Sequence, residues 1–270
     1  MDLRVLFLGD VVGPPGVTIL HDRLGEIREQ LEIDLVVANV ENAANGSGIT
    51  KSIGAKLKKA GVDLMTLGDH AYGKRDAIGY VASERQLVRP LNYPERAAGR
   101  GICYLDLPCG RTVGLLQLQG RVFLPPTECP FLAADRALEA ARAKTKLLLC
   151  DIHAEATSEK IALAAYLDGR LSALIGTHTH VQTADEQILP KGTAYITDVG
   201  MTGPYDSVLG RMVGPVIQKF TTNVPAFFSV ATDDVRISGA LIVIDDGTGC
   251  ATSIRRFHLT ADAPAVEGLL

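Results

Sequence analysis

The sequence predicts an α/β fold on three observations. Short apolar runs alternate with helix-length segments through the first two thirds of the chain. These runs end, one after another, in Asp, Glu or His. The last third carries alternating apolar and polar residues broken by turn signals, the pattern of an antiparallel finish.

Val5 to Leu8 is the first buried run, ending at Gly9 and Asp10, and Gly13, Pro14, Pro15 and Gly16 turn the chain into a helix near Val17 to Leu31. That loop is not G-x-G-x-x-G, and its prolines remove backbone donors that a pyrophosphate needs, so no dinucleotide site is expected. Leu35 to Val40 is a second strand, ending at Glu41 and Asn42. A helix follows over Thr50 to Ala60, with Thr50 as N-cap and Gly61 as stop. Val62 to Leu67 is a third strand, ending at Gly68-Asp69-His70.

Asp76 to Ser83 reads as a short helix and Leu87 to Pro94 as irregular. Ile102 to Leu107 and Thr112 to Gln119 pair across the turn Pro108-Cys109-Gly110-Arg111. A helix over Ala133 to Lys144 leads to the strand Lys146 to Cys150, which ends at Asp151-Ile152-His153. Ser158 to Leu167 is a helix stopped by Gly169, and the strand Leu171 to Ile175 delivers Gly176-Thr177-His178-Thr179-His180. In extended backbone, residues two apart point the same way, about 6.6 Å apart, so both imidazoles would face one site. Gln182 to Pro190 is loop, Ala194 to Thr197 a short strand, and Gly200 to Asp206 a glycine-bounded surface loop. Phe227 to Ala231, Val235 to Ile244 and Ala251 to Leu259 read as strands, and the last residues as frayed.

A chain of 270 residues, 47% hydrophobic and without a linker-like stretch, fits one large domain, 1–270. Net charge is −4 and the 27 Lys and Arg are scattered, so a nucleic-acid duplex is not an expected partner. No run approaches the length of a membrane span and no cleavable leader is visible, which predicts a soluble, cytoplasmic protein without a membrane partner. Five cysteines without C-x-x-C spacing point to neither a disulfide frame nor a zinc knuckle. Oligomeric state stays open.

In open α/β sheets, ligands gather beyond the carboxyl ends of strands. If those ends adjoin, Asp10, Glu41, Asp69, His153, His178 and His180 converge, with Asn42 and His70 beside them. Carboxylates so close need cations between them. An oxygen and nitrogen set without thiolate suits manganese, iron or zinc, and there are more groups than one tetrahedral ion takes. Two ions about 3.5–4 Å apart can activate a hydroxide and hold a phosphoryl oxygen, which is metal-assisted ester hydrolysis. Each residue alone has a structural alternative: Asp10 as a turn residue, Glu41-Asn42 as a cap, Asp69-His70 as a helix start, and His153 as a satisfied interior histidine. Asp151 orients or caps rather than ligates. His21 and His258 read as solvated surface groups.

The ordered blocks Gly9-Asp10, Glu41-Asn42, Gly68-Asp69-His70, His153 and Gly176-Thr177-His178-Thr179-His180 resemble those of the calcineurin-like metallophosphoesterases. More closely, Gly9-Asp10-Val11-Val12-Gly13, Glu41 to Ala44, His153 to Lys160, Gly176 to Asp185 and Thr197 to Pro204 resemble the bacterial YmdB-like branch over nearly the whole chain. The resemblance implies a four-layer α/β/β/α sandwich with two mixed central sheets. It implies two divalent or trivalent ions, iron first with manganese or zinc as alternatives, and a phosphodiesterase acting on small phosphate esters, 2′,3′-cyclic nucleotides above all. It assigns Asp10, Glu41, Asn42 and His180 to one ion, and Asp69, His153 and His178 to the other, with Glu41 bridging. His70 would be the general acid while a metal-bound hydroxide attacks phosphorus. Asp69 departs from the family, which carries Asn there, and adds negative charge where an anionic phosphate must sit. The alternatives are a phosphomonoesterase, or a regulatory or RNA-associated protein with a vestigial metal site.

Overall fold

In the computed structural model residues 2–108 and 110–270 are described; Met1 and Cys109 of the predicted turn lie outside the described residues. In chain order the elements are β1 (Asp2–Leu8), β2 (Asp10–Val11), α1 (Gly13–Gln30), β3 (Leu35–Asn39), α2 (Lys51–Ala60), β4 (Leu64–Thr66), α3 (Ala77–Ser83) and β5 (Leu87–Val88). Then come β6 (Ile102–Asp106), β7 (Thr112–Gln119), α4 (Pro130–Lys144), β8 (Leu147–His153), α5 (Thr157–Leu167) and β9 (Ala173–Thr177). The chain continues through β10 (Gln187–Ile188), β11 (Ala194–Ile196), β12 (Met201–Pro204), α6 (Val213–Thr222), β13 (Val235–Asp245) and β14 (Ala251–Thr260), and finishes in a 3-10 turn at Ala265–Gly268.

Two mixed sheets form. One runs β2-β12-β13-β1-β3-β4-β5, with β14 also on β13; the other runs β10-β11-β9-β8-β7-β6. β1, β3, β4 and β5 are parallel, as are β7, β8 and β9, while β13 is antiparallel to β1 and β14. The period-2 alternation of strand side chains then builds three apolar layers. Leu3, Val5, Phe7, Leu35 and Val37 of the first sheet meet Val113, Leu115, Leu147, Leu149 and Ile175 of the second. On the outer face of the first sheet, Leu6, Leu8, Val36 and Met65 pack on Leu20, Leu24, Ile27 and Leu57 from α1 and α2. On the outer face of the second, Leu116, Leu148 and Cys150 pack on Leu138, Ala141 and Leu163 from α4 and α5. Three cores between four layers make the α/β/β/α sandwich.

The caps of α2 follow the sequence: Thr50 Oγ1 accepts from Ile53 N, and Gly61 ends the helix in left-handed backbone at φ +112°. Helices α1 and α4 start three or four residues before the predicted positions, because Pro14, Pro15 and Pro130 fall in first turns, where no intrahelical donor is required. Two stretches expected to be irregular contribute short strands, β5 on β4 and β10 on β11. Met201 to Pro204, expected as a surface loop, is a buried strand clamped between Asp10–Val11 and the start of β13. Phe227 to Ala231 is not a strand; it makes one isolated bridge to Arg211. The C-terminus is tied down: Ala265 is buried, and the Arg23 guanidinium donates to Ala263 O at 2.6 Å. His258 is half-buried, with Ser238 Oγ 2.7 Å from its Nδ1 and the Tyr205 ring edge-on beside it. Tyr205, just after β12, covers part of the ring, which the linear pattern does not reveal.

Candidate functional site

The inter-sheet face changes character along each strand. On β8, Leu147 and Leu149 belong to the apolar layer, and the same parity carries Asp151 and His153. Asn39 continues Leu35 and Val37, Thr66 continues Leu64, Gln117 and Gln119 continue Val113 and Leu115, and Thr177 continues Ala173 and Ile175. The carboxyl ends of both sheets therefore share a buried polar floor.

Its hub is the fully buried Asp151. Its carboxylate accepts from Thr177 Oγ1 at 2.7 Å, Asn39 Nδ2 at 3.0 Å and Gln117 Nε2 at 3.3 Å, and from the Thr66 hydroxyl. Burial pushes its pKa up to about 6 against the pull of His153 and the two threonines.

Above the floor, Glu41, Asp69, His153 and His178 each offer an atom, all within 4.8 Å of one another, a set that could hold a metal ion. His153 Nε2 lies 3.1 Å from Glu41 Oε1, 3.1 Å from Asp69 Oδ1 and 3.0 Å from His178 Nδ1. Beside this set, His180 Nε2 is 2.9 Å from Asn42 Oδ1 and 3.8 Å from Asp10 Oδ1. Asn42 Nδ2 reaches Glu41 Oε1 at 3.4 Å, so Glu41 stands between the two groups. His70 lies at the rim, its Nδ1 3.1 Å from Glu41 Oε1.

Outward contacts fix the histidine tautomers. Thr177 gives its only hydroxyl proton to Asp151, so at 2.8 Å it accepts from His153 Nδ1–H. His178 Nε2 faces Glu155 Oε2 at 3.1 Å, and His180 Nδ1 donates to Leu209 O at 3.1 Å. In its neutral form each ring turns a bare lone pair inward, onto carboxylate or amide oxygens that are also acceptors. Asp10 Oδ1 is buried without a hydrogen-bond partner, and burial raises the pKa of that carboxyl. Converging lone pairs and an orphaned carboxylate oxygen are what a cation satisfies.

The clustered carboxylates favour positive charge beside them. Although burial opposes ionisation, Glu41 is held at about 2 by His153 and His70, and Asp69 is lowered by His153 and His178. Burial disfavours a charged His153, but Glu41, Asp69 and Asp10 raise its pKa well above the usual range. His70 is raised chiefly by its hydrogen bond to Glu41.

The eight predicted site residues thus adjoin, but His178 and His180 are not aimed by strand alternation. β9 ends at Thr177, and the two histidines take φ of +100° and +63°. A turn sends His178 toward Asp69 and His153, and His180 toward Asn42 and Asp10. The floor residues Asn39, Thr66, Gln117 and Thr177, and the outward partner Glu155, were not singled out from the sequence. Parity along β3, β4, β7, β8 and β9 was the available signal, since a polar residue at an apolar-face position needs buried partners.

The family model described as YmdB-like protein matches residues 6–257. A Bacillus subtilis (strain 168) protein named 2′,3′-cyclic-nucleotide 2′-phosphodiesterase is 46% identical over 260 residues, which cover 96% of this chain and 98% of that protein. A hypothetical protein from Thermus thermophilus, solved by crystallography, aligns with a TM-score of 0.90 at 43% identity, covering 96% of this chain and 99% of that one. The crystal structure of a novel phosphatase from Mycoplasma pneumoniae aligns with a TM-score of 0.90 at 32% identity, covering 99% and 97%.

Proposed function

This chain belongs to the YmdB-like family, and from that membership we propose that it is a dinuclear metal-dependent phosphodiesterase whose substrates are small phosphate esters, 2′,3′-cyclic nucleotides first among them. The observation that carries the reading is the inward convergence of three imidazole lone pairs on Asp10, Glu41, Asn42 and Asp69, with Asp10 Oδ1 left unpaired in a buried position. In this reading Asp10, Asn42 and His180 hold one cation, and Asp69, His153 and His178 the other, with Glu41 shared. The oxygen and nitrogen donor set suits manganese, iron or zinc, and the family resemblance puts iron first. Cations bound there supply Lewis acidity to the phosphoryl oxygens and an activated water.

The chain's own contribution is orientation and proton supply. The Asp151–Thr177 relay holds His153 with Nε2 inward, and the apolar layer behind the floor keeps bulk water from reaching the ligands from below. His70 anchors Nδ1 on Glu41, so its half-exposed ring presents Nε2 to the substrate side. The hydrogen bond to Glu41, with the charges of Glu41 and Asp69, raises the pKa of that imidazole against burial, which suits transfer of a proton to the departing ester oxygen as the P–O bond breaks. The reading treats 1–270 as one domain, acting in the cytoplasm; among the described residues no helix is long and apolar enough to cross a membrane.

The test is turnover of 2′,3′-cyclic AMP and GMP, 3′,5′-cyclic AMP and p-nitrophenyl phosphate by metal-counted protein, with Glu41→Ala and His178→Ala as controls. The proposal expects diester turnover that depends on metal and is lost in both variants. Monoester turnover alone would make the chain a phosphomonoesterase. No turnover by fully loaded protein would leave a binding protein with a vestigial site.

A further inference from the structure

The two histidines of the Gly176–His180 stretch hold left-handed backbone, a region that side-chain-bearing residues occupy only when their surroundings impose it. From the ligand set, Asp10 Oδ2 touches this backbone, accepting from His178 N at 3.1 Å. Directly behind the turn lies an ion pair with no solvent access at all, Lys160 of α5 and Asp198 of the segment after β11. Lys160 Nζ donates to Asp198 Oδ2 at 2.8 Å and to Thr177 O, on the residue before His178, at 2.7 Å. Asp198 Oδ2 also accepts from Thr179 N at 3.0 Å and from Thr179 Oγ1 at 2.8 Å, while its Oδ1 accepts from Gly200 N at 2.8 Å. The pair thus grips the backbone on both sides of His178 and on the near side of His180.

A buried pair of this kind is a poor device for stability, because apolar residues of similar volume commonly serve as well or better. A lysine on the buried face of α5, among Leu163, Ala164 and Leu167, is therefore better accounted for by what its charge holds than by packing. We propose that Lys160 and Asp198 are positioning residues, a buried ionic bracket that clamps Thr177 and Thr179 so that the intervening left-handed turn aims His178 and His180 at two different cation positions. This rests on the reading of both histidines as ligands.

Full-length Lys160→Met/Asp198→Asn removes both charges together and leaves no bare ion behind. Free Mn²⁺ is followed by electron paramagnetic resonance as it is titrated into metal-free protein. Thermal unfolding of the same metal-free sample and kcat and KM on bis(p-nitrophenyl) phosphate complete the measurement. The bracket predicts Mn²⁺ binding weaker by about 10- to 100-fold and a lower kcat with little change in KM, while the metal-free Tm stays at or above that of the wild type. Mn²⁺ affinity and kcat equal to wild type overturn the proposal. So does a fall in metal-free Tm with unchanged affinity in the folded fraction, which assigns the pair to stability. Should the double variant fail to fold, Thr179→Val decides, since it removes one clamp and keeps both charges; several-fold weaker Mn²⁺ binding supports the bracket and wild-type binding overturns it. Wild-type protein that binds neither Mn²⁺ nor Fe²⁺ overturns the ligand reading itself, and the bracket with it.

Discussion

Gly68 offers a way to disturb the site without touching a ligand. It follows β4, with its carbonyl held by the Tyr93 hydroxyl at 2.9 Å. A Cβ added to it would stand 2.3 Å from Glu41 Oε2 and 2.4 Å from His153 Nε2, where ordinary contact begins at 3.4 Å. Both neighbours must retreat by about 1 Å, and neither has room. Glu41 and His153 are buried, Glu41 Oε2 is tied to His70 N at 2.9 Å, and His153 Nδ1 to Thr177 at 2.8 Å. Misplacement of about 1 Å at reacting groups costs about 10²-fold in rate, and overpacking of this kind about 1–3 kcal/mol in stability. Gly68→Ala is therefore expected to lower kcat on bis(p-nitrophenyl) phosphate by about 10²-fold and to reduce the metal bound per chain. The control is Gly79→Ala in α3, where an added Cβ meets nothing within 4 Å. That variant should keep wild-type turnover and metal. Gly68→Ala protein with wild-type kcat and metal content would refute the assignment of Glu41 and His153 to the reacting centre.

Three other outcomes are expected. His70→Asn should keep its metals and lose about 10²- to 10⁴-fold in kcat on a cyclic nucleotide, but much less on bis(p-nitrophenyl) phosphate, whose leaving group needs no proton; equal losses on both esters would remove His70 from the acid role. Asp69→Asn takes one negative charge from beside the phosphate position, so inorganic phosphate should inhibit about tenfold more tightly, with a changed metal content; no change in either sinks the argument. Stripping metals with a chelator should abolish turnover and lower Tm by an amount that grows with the free metal used in the loaded control, whereas a Tm independent of metal would mean that the converging lone pairs hold no cation.

Much of the architecture was legible because burial on both faces forces a readable pattern. β1, β3, β8 and β9 are near-continuous apolar runs, as strands covered on two sides must be. Their ends were legible because the chemistry there needs particular side chains, and Asp10, Glu41, Asp69 and His153 stand out against such runs. What hid was structure made by distant partners. Helix α6 carries Gly214 and Pro215 in its first turn, and only Val216 of it is buried, so local punctuation masked a helix that the core barely uses. β12 contains Gly203 and Pro204, loop residues by composition, and is a strand because β2 and β13 flank it.

The histidine pair marks the limit most clearly. His-x-His after an apolar run does predict two imidazoles near one sheet end, but extended geometry would point both rings the same way, about 6.6 Å apart. Here the residue types were readable and the backbone was not, because φ values of +100° and +63° are disfavoured for histidine and no adjacent glycine or asparagine signals them. The groups touching that backbone are distant in sequence, Asp10 and Lys160 before it and Asp198 after it. A left-handed turn between those anchors separates the rings, sending one to Asp69 and His153 and the other to Asn42 and Asp10. The separation of the two rings therefore depends on dihedral angles that only tertiary contacts can impose.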